Sequence, residues 1–378
     1  MLNNREYSDQ TRSIDLSFIS DLDAAETAEI LRCLPNIDLI ELTDQNGITN
    51  LSLHSIIALH NAVPAAEIHC SFELFGKRIS TSDREITYKK VSIGNEGAEL
   101  FREVLPFLTN CERLVLDDCG IDNEIMASLR DNFPDKKIVW RVHWQKYYSA
   151  LTDVTIIRSG SYIKLRNNGG VQNLKYCTEV VFADLGHNRS LSDISFLAYW
   201  KHIRVLLIDE VQMTSLDALS DATELQLLEI VKCYKLKGLE PLANCKNLRF
   251  LNFSSCSKIT DLSPLYGLDK LEQVYAMGMH KMKLKDKNQR YEIQEKLPNC
   301  KFYFTSPPNS QVSGLYSVGW RLVASPNKYA PWYKEISSVF KYRKRPKGEG
   351  IFNYPSEDQS LFYHDENSLS VFTEDRSR

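Results

Sequence analysis

The chain has 378 residues, 43% apolar and 25% charged, an ordinary composition for a folded soluble protein. Forty-six basic residues against 49 acidic ones leave a net charge of −3, which argues against a nucleic-acid binder, because phosphate recognition needs a concentrated basic surface. No run approaches the roughly 18 apolar residues of a transmembrane helix. Met1 to Ser13 lacks the apolar centre of a signal peptide, so the sequence taken literally places the protein in the cytoplasm.

Residues 1–12 are polar, and a repeating pattern starts directly after them. A short strand is predicted at Ile14 to Leu16, then a helix over Ala24 to Leu34 with Ile30, Leu31 and Leu34 turned inward. A strand at Ile37 to Leu42, a helix over Leu51 to Ala62 and one strand over Glu67 to Leu74 complete a block. The block then returns: Ile86 to Tyr88, Glu99 to Leu108, Cys111 to Leu116, Glu124 to Phe133 and Ile138 to Trp144. Ile86 stands 72 residues after Ile14, Leu114 stands 74 after Ile40, and Ile138 stands 70 after Ile68, so 13–144 reads as a tandem duplication. Leu100, Phe101, Val104, Leu105 and Leu108 carry helical i, i+3, i+4 spacing. Residues 145–173 read as an irregular repeat, with a strand at Asp153 to Ile157 and a loop at Asn167 to Gly170.

Shorter units follow over 174–304. Val180, Ile203, Leu225, Leu248 and Leu271 open segments such as L-Q-L-L-E-I-V-K-C and stand 23, 22, 23 and 23 residues apart. That spacing and the L-x-x-L-x-L-x-x-N/C frame are the leucine-rich-repeat signature. Every second strand residue points to one face, and each repeat buries that face only against its neighbours. Asn188, Cys233 and Cys256 fill the position where the strand turns away and are expected to serve backbone groups there; Val211 and Met279 break the column. Leu191 to Leu197, Leu216 to Leu219, Leu239 to Leu242 and Ile259 to Leu265 form the short outer segments of these units. The expected fold is an α/β solenoid: a horseshoe with a parallel sheet on its concave face and helices on the convex side of the N-terminal half. A charged helix over Lys285 to Lys296 and a last strand to Phe304 end the repeats. Residues 305–340, with Tyr316, Trp320, Tyr329, Trp332, Tyr333 and Phe340, are expected to cap the stack, and 341–378, opening on the basic run Lys341 to Lys347, to form a mobile tail.

The nine cysteines do not suggest a disulfide framework, since Cys119, Cys233 and Cys256 fall in the turn column and Cys111, Cys177, Cys245 and Cys300 recur just before a strand. They are expected to be reduced and mostly buried. No C-x-x-C pair points to a metal, and no G-x-S-x-G, Walker or H-E-x-x-H string points to catalysis or a cofactor. His54 and His60, six apart, lie on different sides of a helix, and His143, His187, His202 and His280 come from different repeats, with His187 read as a solvated rim residue. On the concave face, Phe182, Val205, Leu227 and Phe250 are expected to form an apolar stripe facing water. Beside it run Asp184, Leu207, Glu229, Asn252 and Tyr275, with Asp209 and Glu210 one step along. The partner such a face fits is a protein or peptide with apolar side chains and flanking lysine or arginine. The plainer reading is that these residues stabilise the sheet across strands, or that the tail covers them. Other classes are a glycan or small-ligand receptor using Tyr275 beside Asn252, and an enzyme carried by the tail.

The stretch from about Ile86 to Phe340 also resembles bacterial leucine-rich-repeat proteins of the gut Firmicutes type, with outer segments of the internalin kind. C-G-I-D-N-E-I-M-A-S-L-R, P-D-K-K-I-V-W-R-V-H-W, L-K-Y-C-T-E-V-V-F-A-D-L-G-H-N, D-L-S-P-L-Y-G-L, K-L-P-N-C and G-W-R carry the resemblance. It implies a non-catalytic binding scaffold, and cell-surface exposure or secretion as the alternative to the cytoplasm.

Overall fold

The structure is a computed structural model and describes residues 7–145, 148–158, 165, 170–276, 284, 286 and 288–304. The expected cap at 305–340, the tail at 341–378 and Met279 lie outside them. The chain forms two compact units, Met1–Arg141 and Val142–Arg378.

The first unit contains two blocks with the same order of elements. In the first, β1 (Ser13–Asp15), α1 (Ala24–Arg32), β2 (Leu39–Glu41), α2 (Leu53–Ala62) and β3 (Glu67–His69) place Ile14, Ile40 and Ile68 in parallel register, each 0–1% exposed. The helices follow from their apolar spacing: α1 buries Ala24, Thr27, Ala28 and Leu31 on one face, and the Ser52 hydroxyl accepts from Ser55 N–H to start α2.

The predicted single strand over 67–74 does not form. The chain bends after β3 into an antiparallel hairpin, β4 (Ser71–Leu74) and β5 (Lys77–Ser80), closed by Phe75 and Gly76 at φ +48° and +74°. Two positive-φ central residues give the hairpin turn whose twist matches its strands. Phe75 sits in that strained position because its ring packs on Phe101 and Tyr88, at centroid separations of 5.7 and 6.1 Å. Gly97 leaves room for it, since a Cβ there would lie 2.9 Å from the Phe75 ring.

The second block repeats the first: β6 (Glu85–Lys89), α3 (Gly94–Val104), β7 (Arg113–Asp117), α4 (Asn123–Asn132) and β8 (Lys137–Gln145), with Ile86, Leu114 and Ile138 in parallel register. Helix α3 begins earlier than the apolar spacing predicts, because Gly94, at φ +70°, turns the chain into it.

The second unit holds β9 (Tyr148–Leu151) and a seven-stranded parallel sheet. The sheet runs β10 (Ile156–Arg158), β11 (Phe182–Asp184), β12 (Val205–Leu207), β13 (Leu227–Glu229), β14 (Phe250–Asn252), β15 (Gln273–Tyr275) and β16 (Lys301–Tyr303) in sequence order. Ala183, Leu206, Leu228, Leu251 and Val274 stand in register on its inner face, all 0% exposed. Burying each Leu of this column contributes about 1.5–3 kcal/mol. The outer segments are 3-10 turns at Val171–Tyr176, Ser195–Tyr199, Asp217–Leu219, Glu240–Asn244 and Ser263–Leu265. They are shorter than true helices because a 22- or 23-residue unit leaves few residues beyond its strand and turns. Helix α5 (Gln289–Lys296) precedes β16 and starts four residues later than predicted.

After each strand the chain turns through a left-handed residue: His187, Glu210, Lys232 and Ser255, at φ +57° to +64°. The next residue tucks inward. Asn188 donates from Nδ2 to Leu185 O at 2.6 Å, and the Cys233 and Cys256 thiols donate to Ile208 O at 3.3 Å and Ile230 O at 2.9 Å. The turn column therefore serves backbone carbonyls, as expected from its residue types. Val211, with no polar atom on its side chain, fills the same place as a 0% exposed apolar residue.

Candidate binding face

The outer face of the β11–β15 sheet gathers the residues that the repeat frame singles out. Phe182, Val205, Leu227 and Phe250 form one column in strict register, continued by Gln273. Asp184, Leu207, Glu229, Asn252 and Tyr275 form the second. Parallel pairing without a register slip is what aligns them, because the side-chain period of a strand is two.

The expectation that the first column faces water is corrected by its burial. Phe182 is 3% exposed, Val205 1%, Leu227 0% and Phe250 5%. In the second column Asp184, Leu207, Glu229 and Asn252 are buried as well, and Tyr275 is half-buried. Asp209 and Glu210 are also buried, so the acidic rim is no more open than the stripe. The sequence pattern separates inner from outer positions on a sheet, but it carries no information on what lies over the outer ones.

The polar residues of the face also hold the turns beyond it. Asp184 Oδ1 accepts from Gly186 N–H at 3.1 Å, Asn252 Oδ1 accepts from Ser254 N–H at 3.1 Å, and Asp209 Oδ1 accepts from Val231 N–H at 2.8 Å. Asp15 and Glu41 do the same at the ends of β1 and β2, accepting from Ser17 N–H and Thr43 N–H. A carboxylate or amide at the last strand position is thus a turn device in both units, independent of any ligand.

Glu210 differs. His187 Nδ1, Arg189 Nε and Lys232 Nζ lie 3.3, 2.9 and 3.7 Å from its carboxylate oxygens. Burial pushes its carboxyl up, but hydrogen bonds from Arg189 and His187 outweigh this and hold it below the usual carboxylate value. The repeat spacing that puts residues 187, 210 and 232 in one column was the signal for this cluster, and His187 is one of its members rather than a merely solvated rim residue.

All nine thiols are free, and all but Cys33 are buried. Burial pushes Cys70, with Glu41 nearby, and Cys245 up to about 12 and about 11. Among the described residues no helix is long and apolar enough to cross a membrane, and no group of three His, Cys, Asp or Glu residues is placed to hold a metal.

These features define a leucine-rich-repeat solenoid, an assignment that stands on the repeat spacing and the parallel register. No family model matches the chain, and no curated protein matches it. Among solved structures, internalin C2 of Listeria monocytogenes is similar at 21% sequence identity and a TM-score of 0.31, over 61% of this chain and 89% of that one.

Proposed function

We propose that the protein is a non-catalytic scaffold that binds a protein or peptide segment on the outer face of β11–β15, the concave face of a leucine-rich-repeat horseshoe. The observation that carries this reading is the pairing of two columns at strand spacing: apolar Phe182, Val205, Leu227 and Phe250 beside Asp184, Leu207, Glu229, Asn252 and Tyr275. An apolar strip bordered by acidic groups suits an extended segment with apolar side chains and flanking lysine or arginine. Asp209 and Glu210 extend the acidic border at the turn end of the strands.

Selection from a displayed peptide library on the full chain tests this. The expected outcome is enrichment of peptides with apolar residues and basic flanks, whose binding weakens in the Phe182→Ala and Phe250→Ala variants. Enriched peptides that bind those variants at full strength would overturn the placement, and capture of immobilised glycans instead of peptides would replace the partner class.

A further inference from the structure

We propose that the C-terminal segment, residues 305–378, lies on the outer face of the β11–β15 sheet as an occupant that a partner must displace. The first support is the depth of enclosure. Strands about 4.8 Å apart flank an outward side chain but leave its end open. Leu227 and Glu229 at 0% exposure and Val205 at 1% are closed at that end too. The apolar column therefore has an occupant already, and it belongs to this chain.

Reach is the second support. Phe304 follows β16 directly, at one edge of the same sheet. Crossing to β11 spans five strand spacings, roughly 24 Å. At about 3.3 Å per extended residue this takes fewer than ten residues, and 74 follow Phe304.

The third support is complementary chemistry. Tyr316, Trp320, Trp332 and Phe340 supply apolar surface for the stripe, and the run Lys341 to Lys347 then brings five cations. Carboxylates enclosed as deeply as those of Asp209 and Glu229 are kept only where cations or donors meet them. The segment thus has the same order of features, apolar then basic, that the face would seek in a partner. Self-occupancy does not depend on the binding reading; only its regulatory consequence does, namely that releasing the segment strengthens partner binding.

Zero-length carbodiimide crosslinking of the full chain at high dilution, mapped by peptide mass spectrometry, tests the occupant. Links from Lys341, Lys344 or Lys347 to Asp184, Asp209, Glu210 or Glu229 are expected in monomeric protein. The pairs Lys201–Asp221, at 3.1 Å, and Lys232–Glu210, at 3.7 Å, are built-in controls. Controls that form without tail links to this face would overturn the proposal, as would links confined to crosslinked dimers, which would assign the cover to a second copy.

A second measurement does not require the reagent to reach an enclosed carboxylate. Reversing all five charges of the run to glutamate should raise hydroxyl-radical oxidation of Phe182, Leu227 and Phe250 severalfold, with an unchanged circular dichroism spectrum. Unchanged oxidation would also overturn the proposal. Neither measurement uses a partner, so failure here is distinguishable from failure of the peptide selection.

Discussion

Replacing Asn188 by alanine should destabilise the second unit by about 2–4 kcal/mol. The side chain is 1% exposed, donates to Leu185 O at 2.6 Å and accepts from Leu165 N–H at 2.7 Å; a third bond, to Gly186 O, is longer at 3.3 Å. Alanine leaves the Leu165 N–H and the Leu185 carbonyl in a dry turn, where each stranded group costs about 1–3 kcal/mol. Taking the low half of that range for each, because the turn can relax, gives the estimate. For a unit of this size the melting temperature should fall by roughly 5–15 °C. Cys233→Ala is the internal comparison. Its thiol donates only weakly to Ile208 O at 3.3 Å, so the loss should be about 1 kcal/mol or less. Thermal melts followed by circular dichroism measure both. If Asn188→Ala melts together with Cys233→Ala, the claim that the turn column works through backbone hydrogen bonds is refuted.

Four further expectations follow from the same geometry. His60 is 5% exposed, packs on the Phe107 ring at 5.4 Å, and burial holds its imidazole below the ordinary 6.5. Its neutral form is the one the fold accepts, so the stability it contributes is intact above about pH 6.5 and is lost as pH falls through the lower folded value; urea midpoints between about pH 7.5 and 5.5 should show this limb, and His60→Phe should flatten it. Leu228→Ala should cost about 2–5 kcal/mol, and Leu206→Glu, which puts a carboxylate at a 0% exposed position, should prevent folding, as read by loss of a cooperative melt. Ser255, at φ +64°, should accept glycine with little change, whereas Ser255→Val should be about 1–2 kcal/mol less stable than Ser255→Gly in the same melts. Thiol titration of the native chain should find Cys33 reacting first and the buried thiols reacting only on denaturation.

Where one residue's neighbours in sequence also decide its structure, the sequence alone was enough. The 22- and 23-residue spacing placed β11 to β15, and the offset of about 72 residues placed the two blocks of the first unit. The hairpin β4–β5 was not legible, because its turn residues are Phe75 and Gly76 rather than the usual Asn-Gly, and Phe75 is held at positive φ by Tyr88 and Phe101 from later in the chain. The left-handed turn column was hidden for a related reason: His187, Glu210, Lys232 and Ser255 carry no glycine to mark it. The candidate face was legible in its membership and register and not in its exposure. Alternation shows which side chains leave the sheet, whereas the enclosure of Leu227 and Glu229 depends on chain far from them in sequence.

The binding assignment is tested most directly by locating a bound ligand. A library-selected peptide carrying a photoreactive phenylalanine, irradiated on the full chain and mapped by mass spectrometry, should attach to residues of β11 to β14, with Phe182, Val205, Leu227 and Phe250 among the modified positions. Attachment concentrated on the outer 3-10 turns or on the first unit would contradict the account.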